Sequence, residues 1–108
     1  MQDFSSAIEQ RDAQALLHLY ADCAELSLAE CSSLGQPPRL VQGKAAIAGW
    51  LTQWCEQSTS VRVVHEAEVE AELTMIAEYR QEDGTREVIA LTAHLVGGLV
   101  SRQFVVLV

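Results

Sequence analysis

Residues 61–108 alternate apolar and polar side chains through four successive runs, and this period of two constrains the fold more than any other feature of the chain. Such spacing belongs to strands with one face in a core and the other in water. In Val61-Arg62-Val63-Val64-His65-Glu66-Ala67-Glu68-Val69-Glu70 the odd positions are mostly apolar and the even positions mostly charged. That phase puts His65 on the core face. It puts Glu66, Glu68, Glu70 and Glu72 on a solvated face, where Arg62 or Arg80 can balance them.

Two turns divide the later runs. Asp83-Gly84 marks a hairpin or the middle of a longer loop from Glu82 to Thr85, and Gly97-Gly98 is a strong signal for a two-residue turn. Counting outward from Gly97-Gly98 pairs Val96 with Leu99, Leu95 with Val100, Ala93 with Arg102, Leu91 with Phe104 and Ile89 with Val106. Arg102 and Phe104 then share the core face with Leu91 and Ala93. The opposite face carries Val88, Ala90, Thr92 and His94 beside Leu107, Val105, Gln103 and Ser101. It is half apolar, too much so for a solvated surface, which predicts a homodimer through the outer face of the sheet.

Upstream the period changes. Phe4, Ala7 and Ile8 recur at i, i+3 and i+4, and Leu16, Leu19 and Tyr20 repeat the spacing after Arg11-Asp12. Two short helices, or one bent helix, are expected, with Asp3 and Asp12 as N-caps. From Ala24 to Cys31 the period shortens to two, with Leu26, Leu28 and Glu30 on one face, so a first, peripheral strand is expected there. Residues 32–38 read as a loop that ends in Pro37-Pro38 and is closed by Gly43. From Lys44 the positions Ile47, Trp50, Leu51 and Trp54 describe a third helix with both tryptophans toward the sheet. The tryptophans read first as core packing and second as the wall of a cavity between helix and sheet.

Composition narrows the function classes. A chain of 108 residues with 49% hydrophobic and 20% charged residues is expected to be one globular domain, residues 1–108. A formal net charge of -8 repels phosphate backbones and anionic lipids, which argues against a nucleic-acid partner. No apolar run approaches the roughly 20 residues of a membrane span, and Met1-Gln2-Asp3-Phe4 lacks the start of a signal peptide, so no membrane partner and a cytoplasmic location are expected. Cys23, Cys31 and Cys55 are odd in number and lack CxxC spacing. They read as three small buried hydrophobes, without a disulfide framework or a metal site.

The order helix, helix, strand, loop, helix and four antiparallel strands is an α+β layout. With Arg11-Asp12, Leu16-Leu17-His18-Leu19-Tyr20-Ala21-Asp22-Cys23-Ala24, Gly43-Lys44-Ala45-Ala46-Ile47 and the turn before Val100-Ser101-Arg102, it resembles the nuclear transport factor 2-like superfamily, in particular SnoaL-like proteins and ketosteroid isomerase. The resemblance implies a cystatin-like cone, with three N-terminal helices packed on a curved, mostly antiparallel sheet. It also implies a small hydrophobic ligand and dimerisation through the outer sheet face. The isomerase's own base and two oxyanion donors would fall near Leu28, Phe4 and Ala93, none of which transfers a proton. Ketosteroid isomerisation is therefore excluded by chemistry.

A different set remains on the expected inner face. Glu30, His65 and Tyr79 are the candidate catalytic residues of an acid/base isomerase, hydro-lyase or cyclase, since a histidine near a carboxylate exchanges protons close to neutral pH. Arg102, Trp50, Trp54, Phe4, Tyr20, Leu28, Ala93 and Phe104 are the candidate ligand wall. Arg102 would attract a carboxylate, and no metal or other cofactor is expected. The competing reading is a non-catalytic small-molecule-binding or dimerisation module whose cone is filled by its own side chains.

Overall fold

The computed structural model describes residues 2–30 and 39–107, with side chains at all of these except residues 2, 3 and 30. The elements run α1 (Gln2–Glu9), α2 (Ala13–Leu17), β1 (Tyr20–Glu30), β2 (Arg39–Gln42), α3 (Lys44–Gln57), β3 (Ser58–Val69), β4 (Glu72–Gln81), β5 (Arg86–Val96) and β6 (Leu99–Leu107). The six strands form one curved sheet in the order β2-β1-β6-β5-β4-β3, parallel between β1 and β6 and antiparallel elsewhere. α1 packs on β3, and α3 packs on β1, β2 and β3. The class is α+β as expected. Only two helices precede the first strand, and the third follows β2, so the helices are not all N-terminal.

Local chemistry explains most boundaries. Arg11 takes a left-handed φ of 54°, which separates α1 from α2, and Asp12 caps α2 by accepting from Ala15 N at 3.1 Å. Asp3 lies inside α1, and its side chain, the other expected N-cap, is outside the described residues. α2 stops at Leu17, so Tyr20 opens β1 and does not end a helix. β1 is an inner strand, not a peripheral one, because β2 covers its edge. This short strand replaces the end of the loop expected to close at Gly43, and Leu40-Val41 between Pro38 and Gly43 is a strand signal bounded by breakers. In α3, Ile47, Leu51 and Trp54 are buried and Trp50 half-buried, as the helical spacing predicts. Residues 31–38, with Cys31 and the expected loop, lie outside the described residues. Of the other cysteines, Cys23 is exposed and Cys55 half-buried, so neither is a fully buried hydrophobe.

Of four register shifts in the sheet, the two β-bulges at Val64 and Ser101 decide which candidate side chains face the helices. In β3, Val63 pairs with Ala77 and His65 with Ile76, so Val64 is an extra residue and every later position changes face. The amide of Val63 donates to Glu9 Oε2 of α1 at 3.0 Å, which gives the disrupted ladder a partner. In β6, Gly97 and Gly98 make the expected two-residue turn, with φ of 61° and 82°. Val96–Leu99 and Leu95–Val100 pair as counted, but His94 then pairs with Arg102, leaving Ser101 unopposed. The Ser101 hydroxyl donates to His94 O at 3.1 Å and closes that bulge. From there on the counted register is off by one. Gln103 and Val105 point into the core, whereas Arg102, Phe104 and Val106 face out.

Candidate functional site: an aromatic groove at the mouth of the cone

The interior of the cone is filled. Phe4, Tyr20, Leu28 and Ala93, all expected to line a ligand cavity, are each at most 8% exposed and pack on one another's neighbours across the core. The space left between helices and sheet is about 10 Å³, lined by Phe4, Tyr20, Leu51, Leu91, Val105 and others. That is room for about one water molecule. Within it the Tyr20 hydroxyl donates to Gln103 Oε1. Burial pushes the Tyr20 hydroxyl well above its ordinary 10.0.

The expected acid/base set is not assembled. The β3 bulge turns His65 to the outer face, exposed and opposite Ile76, and swings Glu66 and Glu68 toward the helix side. Glu66 accepts there from the Ser5 hydroxyl. The acidic residues of this hairpin are therefore not one solvated row. The β6 bulge turns Arg102 and Phe104 outward, both exposed, with Phe104 at 44%. Glu30 lies in β1, but its side chain is outside the described residues. Of the catalytic candidates whose side chains are described, only Tyr79 points inward.

What the fold does assemble lies at the open end of the cone. Trp50 and Trp54, one helical turn apart on α3, stack with centroids 6.4 Å apart and planes at 17°, and Tyr79 of β4 meets Trp54 edge-on at 5.6 Å and 63°. They border a groove of about 260 Å³, which Arg39, Gln53, Gln57, Ser58, Gln81 and Leu107 complete. Trp54 is 8% exposed, and its indole Nε1 has no hydrogen-bond partner among the described residues. An unsatisfied buried donor costs about 1–3 kcal/mol. Arg39 is exposed and supplies the groove's positive charge. Sequence reasoning found three of these residues, Trp50, Trp54 and Tyr79. Arg39 escapes it because β2 lies in the stretch expected to close as loop at Gly43, and the surrounding glutamines because polar helix and strand ends look like ordinary surface.

Comparison with known proteins agrees on architecture. An NTF2-like protein of unknown function from Mesorhizobium loti superposes with a TM-score of 0.85 at 13% identity, covering 100% of this chain and 87% of that one. The chain has the nuclear transport factor 2-like fold. A cystatin-like-fold protein from Silicibacter pomeroyi superposes at 0.80 with 13% identity, over 99% of this chain and 72% of that one. A protein with a ketosteroid isomerase-like fold from Catenulispora acidiphila, in complex with trimethylamine, superposes at 0.71 with 14% identity, over 96% and 81%. No family model and no curated protein matches the chain by sequence. Among the described residues no group of three His, Cys, Asp or Glu is placed to hold a metal ion, and no described helix is long and apolar enough to cross a membrane.

Proposed function

We propose that this NTF2-like chain is a small-molecule-binding protein whose ligand sits in the groove at the mouth of the cone, while the cone itself is packed solid. The observation that carries this reading is the contrast in volume, about 10 Å³ inside against about 260 Å³ at the mouth. The groove is slightly below the roughly 300–1,000 Å³ of common ligand clefts, which favours a compact ligand. Its chemistry favours a small hydrophobic carboxylate. The stacked indoles cover an apolar body, the Trp54 N–H lacks an acceptor, and the Arg39 guanidinium attracts an anion. This replaces Arg102 by Arg39 as the anion-attracting residue. Acid/base catalysis gains no support, since His65 faces away from Tyr79's side of the sheet.

The trimethylamine in the Catenulispora neighbour poses a competing ligand, a cation over aromatic faces. Arg39 at the groove argues against it here. Tryptophan fluorescence titrations with small hydrophobic carboxylates and with trimethylamine separate the two. The carboxylates should quench or shift the emission saturably. Arg39→Gln should weaken that response at least tenfold, and trimethylamine should leave it unchanged. No saturable response to any carboxylate would overturn the reading.

The same reading includes a homodimer through the outer face of the sheet, with a corrected contact. Val105 and Leu107 point inward, so Phe104 and Val106 with Ile76, Val88 and Ala90 now form the apolar strip. A second copy presenting the same strip would cover it.

A further inference from the structure

The outer face carries a second groove, of about 250 Å³, lined by Ser60, Val61, Arg62, Glu78, Tyr79, Arg80 and Arg86. Three of the chain's seven lysines and arginines gather here, in a protein with a net charge of -8. The register explains how. Ser60, Arg80 and Arg86 stand opposite one another across β3, β4 and β5, and Arg62 and Glu78 stand opposite one another in the next outward-facing row. All five side chains point away from the helices, because Val61 and Tyr79 between them point inward.

The charges do not balance internally. Glu78 is the one carboxylate among the described lining residues, and it accepts from Arg62 Nη2 at 3.0 Å. Arg80 and Arg86 have no ion-pair partner among the described residues. Like charges directly opposite in an antiparallel pair destabilise the sheet. A chain with acidic residues in excess sets two guanidiniums face to face beside a third, and an external anion resolves that arrangement.

We infer that this groove binds the phosphate group of a small phosphorylated molecule. Two unpaired guanidinium forks match a dianion with three terminal oxygens better than a carboxylate, which a single fork satisfies. The Ser60 hydroxyl, in the same row, adds a donor. A polynucleotide is a poorer fit, because the overall field of the chain repels an extended phosphate backbone. The site is distinct from the mouth groove, although Tyr79 borders both.

Thermal melts of the wild type and of Arg80→Gln and Arg86→Gln, with inorganic phosphate, phenyl phosphate or chloride at matched ionic strength, test the assignment. Ligand binding to the native state raises the melting temperature, and general salt effects raise it equally in every variant. Without phosphate, each variant should melt at or above the wild type, because the facing like charges are gone. Phosphate should raise the wild type's melting temperature well beyond either variant's. A larger rise with phenyl phosphate than with inorganic phosphate assigns the site to a phosphomonoester. An equal or smaller rise assigns it to free phosphate and overturns the esterified part of the proposal. Equal rises in wild type and variants, or no rise in the wild type, overturn the site itself. Arg102→Gln, which removes an outer-face charge elsewhere, should behave as wild type.

Discussion

Tyr20 and Gln103 are the polar pair at the centre of the core, and each depends on the other. Tyr20 is 1% exposed and Gln103 3%, and the tyrosine hydroxyl donates to the amide oxygen. Tyr20→Phe would leave that oxygen buried without a donor, at a cost of about 1–3 kcal/mol near neutral pH. The pH dependence has a definite sign. Because the folded-state pKa of Tyr20 is raised, the unfolded chain loses its proton first as pH climbs. The stability contributed by the neutral hydroxyl is complete below the ordinary value of 10.0 and is lost as pH rises from there through the raised value. Urea melts at pH 8 and above 10 should therefore show a steeper alkaline loss in the wild type than in Tyr20→Phe. Equal slopes would place the Tyr20 hydroxyl in contact with water.

At the scale of elements, β6 carries the sharpest test of the register. The bulge at Ser101 sends Val105 inward at 0% exposure and Phe104 outward at 44%. Val105→Glu buries an unpaired carboxylate and should destabilise by about 3 kcal/mol or more, whereas Phe104→Glu should leave the fold intact. Chemical denaturation of the two variants reads this directly, and a folded Val105→Glu would restore the unbulged register. The four C-terminal strands, their turns and the buried face of α3 were legible because alternation, paired glycines and helical spacing each encode them locally. The bulges were less so. Val63-Val64 puts two β-branched residues on opposite faces, and Phe104-Val105-Val106-Leu107 is apolar on both, so neither stretch fixes its own register. The β3 bulge is accompanied by a hydrogen bond to a distant element, from Val63 N to Glu9 of α1, which local alternation does not encode. His65 and Arg102 both lie beyond a bulge, and counting placed both on the wrong face. Tyr79 lies on β4, which pairs with β5 without a register shift, and the tryptophans lie on a helix, so the expected faces hold for all three.

For the whole molecule, the two bulges sort the side chains into a filled cone, an aromatic mouth and an outer face that is apolar at Phe104 and cationic at Arg80 and Arg86. The proposed dimer belongs to this scale. Light scattering at micromolar concentration should report a dimer for the wild type and a folded monomer for Phe104→Glu, and a wild type that scatters as a monomer removes the outer face as an interface. The proposed ligand site at the mouth belongs to this scale too, and the buried Trp54 N–H, without a partner among the described residues, is its reporter. The chain has two tryptophans and so two indole N–H resonances in a nitrogen–proton correlation spectrum. Titration with phenylacetate should shift the Trp54 indole resonance downfield and saturably, as its N–H gains a carboxylate oxygen, with a smaller change at Trp50 from the aromatic ring. A Trp54 indole resonance that stays in place at saturating phenylacetate, or that already exchanges freely with water without it, would contradict the account.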